Sequence, residues 1–343
     1  MSNINYKKIS ENLLKGLPER TQSIIERRFG LKGGERETLE AIGQSYEITR
    51  ERVRQIADEG LLQCKKKIES QKEVFLALDS ALRNFGDIKK EDALLEFIGG
   101  NKHQNPVYFL LTLANGFNRA QDDDNFHSFW TKNKEAVSFA KKTVELTLNK
   151  FKTEKKLFSL DELFEAQKQE LDKKFGKKIT KNIFASYIEL SKNIEKNYEG
   201  KLGIRNWIEV NPKGIKNKAF LVLKKENKPL HFTQVATYID NMFNSSEKKA
   251  HSATVHNELI KDDRFVLVGR GLYALREWGY IPGVVKDVIF TILKNEGKPM
   301  AKEEIMEKIL KQRMIKENTV FLNLQDKERF LRDEQGKYTI KEA

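Results

Sequence analysis

The chain has 343 residues, 39% hydrophobic and 33% charged, with a formal net charge of +13; two or more domains are expected, small ones in series as readily as one large core, and the composition is wet for one large enzyme and natural for several small domains. The charge selects a polyanionic partner, and nucleic acid is preferred to membrane because there is neither a basic amphipathic anchor nor a long apolar run. Cys64 is the only cysteine, which excludes a disulfide framework and a cysteine-built zinc site, and the opening MSNINYKKIS lacks a signal peptide's apolar core, so a cytoplasmic protein is expected.

In chain order, residues 1–9 read as a loose lead-in, 10–29 as one or two helices, and Gly30, Gly33 and Gly34 as a loop. Residues 38–63, TLEAIGQSYEITRERVRQIADEGLLQ, organise the rest. Leu39 and Ile42 form one apolar stripe at helical spacing, and Val53, Ile56 and Ala57 form another. Tyr46 and Ile48 lie between them, in a break too short for an independent loop. Gly43 falls on the buried face of the first helix, where a steeply crossing second helix leaves no room for a side chain, and Thr49 offers that second helix a hydroxyl N-cap. Together these features describe a helix-turn-helix.

The second helix turns Arg50, Glu51, Arg54 and Gln55 away from its apolar residues, with Arg50 and Arg54 one turn apart and Glu51 and Gln55 likewise. Near a helix N-terminus, such a hydrogen-bonding face reaches base edges in the major groove: Arg to guanine, Gln to adenine, Glu to cytosine N4. The competing reading, an exposed helix with polar i,i+4 pairs, is weakened by the helix and turn that precede it.

Four blocks carry a resemblance: Leu17-Pro18-Glu19-Arg20, Arg28-Phe29-Gly30-Leu31, Thr38-Leu39-Glu40-Ala41-Ile42-Gly43 and Thr49-Arg50-Glu51-Arg52-Val53-Arg54-Gln55-Ile56. In this order and spacing they resemble region four of primary-type bacterial sigma factors, the part that recognises the promoter −35 element. The resemblance implies that Arg50, Glu51, Arg54 and Gln55 read bases, that Arg20, Arg28, Thr38, Leu39 and Arg52 contact the DNA backbone, and that RNA polymerase core is a partner. It departs where sigma factors continue with a basic helix, because this chain reads Ala57-Asp58-Glu59-Gly60 and basic residues return only at Lys65-Lys66-Lys67. No stretch resembles the sigma region that opens the −10 element, so a complete sigma factor is not expected.

From Glu69 the pattern becomes helix, helix, helix and a short β-like stretch, and it recurs. Residues 254–275 lie over 319–340 at a constant offset, with Thr254/Thr319, Val255/Val320, Leu259/Leu324, Arg264/Arg329, Phe265/Phe330, Gly271/Gly336 and Tyr273/Tyr338 coinciding; Lys228-Pro229 matches Lys298-Pro299 upstream. Each unit reads as three helices followed by a hairpin, a winged helix; in the third unit Phe265–Val268 and Leu272–Leu275 flank Gly269-Arg270-Gly271. Weaker copies lie upstream: Phe117 and Trp130 are spaced like Phe265 and Trp278, and Ile188, Ile194, Arg205 and Trp207 align with Leu259, Phe265, Arg276 and Trp278. Ser159-Leu160-Asp161-Glu162 reads as a capping box opening a middle helix. The expected fold is mainly α, a helix-turn-helix over 10–68 followed by tandem winged-helix α+β units over 69–133, 134–211, 213–280 and 281–343.

In the unit at 213–280, Arg264-Phe265-Val266, Gly269 to Leu275 and Arg276-Glu277-Trp278 resemble a HARE-type helix-turn-helix domain. That family includes the N-terminal domain of the RNA polymerase delta subunit and domains attached to restriction enzymes and chromatin regulators, and it implies a DNA or polymerase contact. Lys261, Arg264 and Arg270 are the candidate nucleic-acid contacts there, whereas Phe265, Tyr273 and Trp278 read as wing and core packing.

No catalytic constellation, cofactor motif or metal site is expected. Gly269-x-Gly271 lacks a third glycine and a following helix, and so is a hairpin turn. Asp122-Asp123-Asp124 has no spaced partner ligands and reads as a solvated wing tip. His251 and His256 have no ligand companions. Asp240 with Glu247-Lys248-Lys249 faintly follows a nuclease pattern, but falls on a helix and a polar loop rather than on strand ends. The expectation is a non-enzymatic transcription protein that binds double-stranded DNA. The alternatives are a polymerase-associated interaction protein and the DNA-recognition partner of a restriction or modification enzyme.

Overall fold

The computed structural model describes residues 4–68, 71–176, 178–243 and 249–341, so Glu247 and Lys248 of the nuclease-like pattern lie outside the described residues. The chain divides into two compact units, Met1–Arg205 and Asn206–Ala343; the division falls at Arg205/Asn206 rather than at 211–213.

The first unit opens earlier than the sequence suggests. Helix α1 (Tyr6–Leu14) starts inside the expected lead-in, capped by Asn5, whose Oδ1 accepts from the Lys8 amide at 3.0 Å, and its Tyr6 is buried. Helix α2 (Glu19–Phe29) ends on Gly30 in the left-handed conformation. Helices α3 (Leu39–Ser45) and α4 (Arg50–Ile68) follow, Thr38 and Thr49 capping them by accepting from Ala41 N at 3.1 Å and Arg52 N at 3.2 Å. Ile24, Ile42, Val53 and Ala57 form a small core, closed by Leu39, Tyr46, Ile48 and Ile56.

Next come α5 (Lys72–Arg83), β1 (Ile88–Lys90), α6 (Glu91–Gly99), α7 (Gln104–Leu113), β2 (Asn118–Ala120) and β3 (Phe129–Thr131), with an antiparallel sheet in the order β1-β3-β2. This is a winged-helix order, yet residue 68 is not a packing boundary. Leu13, Leu14, Ile25, Phe29, Leu61 and Cys64 share one apolar cluster with Val107, Phe109, Leu110 and Leu113 of α7. Polar contacts pin the same junction: Asn105 Nδ2 donates to the carbonyls of Gly30 and Gly34, both at 3.2 Å, and the Arg36 guanidinium lies 3.9 Å from the centre of the Tyr108 ring. The helix-turn-helix and the first winged unit are one folded body.

Helices α8 (Lys134–Glu154), α9 (Leu160–Phe175) and α10 (Lys181–Glu189) precede a hairpin of β4 (Ile194–Lys196) and β5 (Leu202–Ile204), and Phe158 bridges Leu202 in place of a further strand. The Ser159/Glu162 capping box opens α9. Helix α10 lies on β1, where Ser186 Oγ donates to Ile88 O at 2.7 Å and a Cβ on Gly86 would come within 2.7 Å of Ile183. Asp122-Asp123-Asp124 is a joint here rather than a free wing tip: Lys192 pairs with Asp122 and donates to Asp123 O at 2.6 Å, and Asp123 Oδ1 caps the turn at Asn125 and Phe126.

The equal spacing of Phe117/Trp130 and Phe265/Trp278 does not put the tryptophans in equivalent places. Trp130 sits within β3, its Nε1 donating to Glu91 at 3.0 Å, whereas Trp278 follows the last strand of its own unit. Ile188 and Ile194 do occupy the places of Leu259 and Phe265, a buried third-helix residue and the first residue of a hairpin strand.

The second unit contains α11 (Gly214–Glu226), β6 (Leu230–His231), α12 (Phe232–Phe243), α13 (Ser252–Lys261), β7 (Phe265–Gly269), β8 (Leu272–Leu275) and a 3-10 turn at Arg276–Trp278, with the sheet ordered β6-β8-β7. Then come α14 (Val285–Glu296), α15 (Lys302–Gln312), α16 (Glu317–Leu324), β9 (Phe330–Arg332) and β10 (Tyr338–Ile340), Met300 bridging Tyr338 where the preceding copy has β6. Each copy has its own core, centred on Phe265 and Tyr273 in one and on Phe330 and Tyr338 in the other. The fourth copy covers an edge of the third: the Met314 amide donates to Val268 O at 2.7 Å beside β7, and the buried Arg313 side chain holds the carbonyls of Ile281 and Gly283 at 2.5 and 2.9 Å.

Candidate nucleic-acid interface

The turn between α3 and α4 is built for close approach. A Cβ added at Gly43 would lie 2.8 Å from the Ile48 carbonyl oxygen, so the backbone of the turn takes the space of a side chain. Glu47 holds the left-handed conformation at φ 53°, a place where glycine would be unstrained and which no sequence pattern marked. The Arg27 guanidinium ties α2 to the end of α3, donating to Glu37 at 2.8 and 2.6 Å and to Ser45 Oγ at 2.6 Å, while Tyr46 OH donates to Ser23 Oγ at 2.9 Å. We expect Gly43→Ala to cost about 1–3 kcal/mol by overpacking the crossing. Urea denaturation of the chain measures this, and an unchanged midpoint would show that the turn yields.

On the outer face of α4, Arg50, Glu51, Arg52, Arg54 and Gln55 are all exposed. The set is already hydrogen-bonded within itself. Arg54 Nε and Nη2 donate to the two Glu51 oxygens at 2.9 and 2.7 Å, Arg54 Nη1 donates to Asp58 at 2.7 Å, and Arg52 Nη1 donates to Gln55 at 3.2 Å. The Arg54 hydrogen bonds hold the Glu51 carboxyl below the usual carboxylate range, and Glu51 first, then Asp58, raises the Arg54 pKa further.

The residues assigned to the DNA backbone fall in three kinds of place. Arg20 is exposed on the first turn of α2, its guanidinium 5.2 Å from the centre of the Tyr46 ring. Arg28 is half-buried, with Nη1 3.7 Å from Asp58 Oδ1 and without a hydrogen-bond partner. Thr38 is the α3 cap, and Leu39 packs against the small core, which leaves its side chain little to offer a phosphate.

Asp58, which the sequence showed only within the departure from a basic helix, meets both Arg28 and Arg54; its i,i+4 spacing from Arg54 was the available signal. Gly60, which appeared only as part of the departure from a basic helix, marks a close α2–α4 crossing, where a Cβ would come within 2.5 Å of Thr21 Cγ2 and 2.8 Å of Ile25 Cδ1.

The four winged-helix third helices do not present equivalent surfaces. Helix α7 lies against the helix-turn-helix and α10 against β1. Helix α13 exposes Thr254, Asn257, Ile260 and Lys261, and α16 exposes Glu317, Asn318, Leu322 and part of Phe321. Arg270 is exposed on the β7–β8 turn. Arg264 is committed elsewhere: it donates to Asp262 at 2.9 and 2.7 Å and to Asn217 at 2.9 Å, anchoring the hairpin to α11. Its repeat partner Arg329 does the same to Asp287 of α14 at 2.8 Å. Both arginines pin the hairpin of their unit to its first helix, and Arg264, a candidate nucleic-acid contact, keeps about a third of its side chain exposed. His256 stacks on Phe232 at 4.5 Å, and Asp240 Oδ1 accepts from the Ala250 amide at 2.8 Å. Among the described residues, no group of three His, Cys, Asp or Glu could hold a metal ion, and no helix is long and apolar enough to cross a membrane.

Comparison with known proteins matches two segments. Residues 13–66 match the family model of sigma-70 region 4, and residues 214–278 match the HARE-HTH model, a helix-turn-helix domain named in part for ASXL and restriction endonucleases. The RNA polymerase principal sigma factor HrdD of Streptomyces viridifaciens is 43% identical over 56 residues, which are 16% of this chain and 17% of that protein. RNA polymerase sigma factor RpoS of Coxiella burnetii is 38% identical over 71 residues, 21% of this chain and 20% of that protein. RNA polymerase sigma factor SigA of Microcystis aeruginosa is 45% identical over 51 residues, 15% of this chain and 12% of that protein. The chain therefore spans no more than a fifth of the length of these relatives. Within one chain, a segment like sigma-70 region 4 is joined to a segment like the HARE helix-turn-helix.

Proposed function

We propose that the protein is a DNA-binding transcription protein whose helix-turn-helix reads a −35-like promoter element and which contacts RNA polymerase core, acting by binding and without a reaction of its own. The observation that carries this reading is the exposed set Arg50, Glu51, Arg54 and Gln55 on the first two turns of a helix that crosses α3 closely at Gly43. Arg, Gln and Glu at these places match the donor and acceptor edges of guanine, adenine and cytosine. The relatives named for RNA polymerase support polymerase as the partner. In this role the protein places or modulates polymerase while another factor melts the DNA.

Selection of binding sites from a random duplex pool, with and without purified polymerase core, tests this. The chain alone is expected to enrich a −35-like motif, and polymerase to sharpen the enrichment. On random duplex, the slope of log affinity against log salt should be about −0.9 for each phosphate neutralised. Absence of any enriched motif would end the base-reading assignment. A slope near zero would instead favour an interaction protein bound to polymerase.

A further inference from the structure

The recognition helix carries its own competitor for DNA. Three Arg54 donors are taken by two carboxylates, two by Glu51 and one by Asp58. Asp58 faces both ways: one oxygen is 2.7 Å from Arg54 Nη1 and the other is 3.7 Å from Arg28 Nη1, a buried nitrogen with no hydrogen bond. One carboxylate thus sits between the arginine assigned to a base and an arginine assigned to a phosphate. The Glu51 pair alone would leave Arg28 untouched.

We propose that Asp58 is a specificity-determining residue that makes α4 reject duplex lacking the preferred base. This rests on the base-reading role proposed above for Arg54. A duplex without the matching base in register leaves these arginines mainly phosphates, whose charge the adjacent carboxylate repels and whose attraction salt screens. A guanine edge offers two coplanar hydrogen bonds that replace what Arg54 surrenders to leave the carboxylates. The carboxylate therefore weakens the wrong complex more than the right one, which is how a repulsive element creates discrimination. Asp58 is about half exposed, so removing its charge leaves the fold intact.

The test compares the full chain, Asp58→Asn and Glu59→Gln on the selected duplex and on a random duplex, titrated at several salt concentrations. Glu59 is the control: it is exposed on the same helix and, among the described residues, makes no ion pair. Asp58→Asn is expected to tighten random-duplex binding about fivefold, the scale of an exposed ion pair. It should tighten the selected duplex less, so the specificity ratio falls. The salt slope on random duplex should steepen by about 0.9 for each arginine released to a phosphate. Glu59→Gln should shift both duplexes alike and leave the ratio unchanged. If Asp58→Asn behaves like Glu59→Gln, or leaves ratio and slope at wild-type values, the proposal is overturned while base reading stands. If the wild-type chain selects no sequence at all, base reading fails and this proposal falls with it.

Discussion

Phe109→Ala will destabilise the helix-turn-helix together with the winged unit that contains Phe109, although residue 109 lies far along the chain from the recognition helix. Phe109 is fully buried in α7, with its ring 5.1 Å from that of Phe29 at an interplanar angle of 69°. Truncating a buried phenylalanine removes its transfer free energy and leaves a cavity, a loss of about 3–5 kcal/mol. From a stability of about 5–15 kcal/mol that loss takes between a fifth and all of it. Because Phe29, Ile25 and Leu61 belong to the same apolar cluster as Phe109, the loss cannot be confined to the winged unit. Urea denaturation should show residues 4–131 melting in one transition at lower denaturant, and specific duplex binding should disappear with it. If the variant lost the winged unit but still bound the selected duplex, the helix-turn-helix would be an independent domain and the shared core would be incidental.

Arg54→Ala should remove base preference at one position of the site, at a cost of about 1–3 kcal/mol on the selected duplex. Arg54 stands on the exposed face one turn after Arg50, and its loss also strips the counter-charge from Glu51 and Asp58. Glu51 then loses its ion-pair partner, whereas Asp58 keeps Arg28 at 3.7 Å. Random duplex should be affected far less, because in the wild type those carboxylates already hold Arg54 back from phosphates. Competition titration with duplexes varied one base pair at a time measures this. An equal loss on selected and random duplexes would reduce Arg54 to a phosphate contact.

Much of this molecule was legible locally. Thr38, Gly43 and Thr49 announce the helix-turn-helix because each answers a backbone requirement set within a few residues: two orphan amide ends and one close crossing. The duplication of the last two winged units was legible because a repeated core repeats its apolar positions, and Phe265/Phe330 and Tyr273/Tyr338 do fill corresponding places in separate cores. The early start of α1 was not legible, because Tyr6 has its reason to be buried only once α7 is present to pack against α1.

Sequence by itself therefore determined the element types, the helix-turn-helix, the winged-helix periodicity and the residues on the outer face of α4, all of which follow from spacing along one chain segment. Tertiary structure alone decided which of those surfaces remain available. It spent α7 on the helix-turn-helix core and α10 on β1, turned Arg264 and Arg329 into pins between hairpin and first helix, and set Asp58 between Arg28 and Arg54. The physical reason is common to all four. An apolar stripe or an arginine fork states what it needs, burial or a carboxylate, but its partner is fixed by packing between segments far apart in the chain.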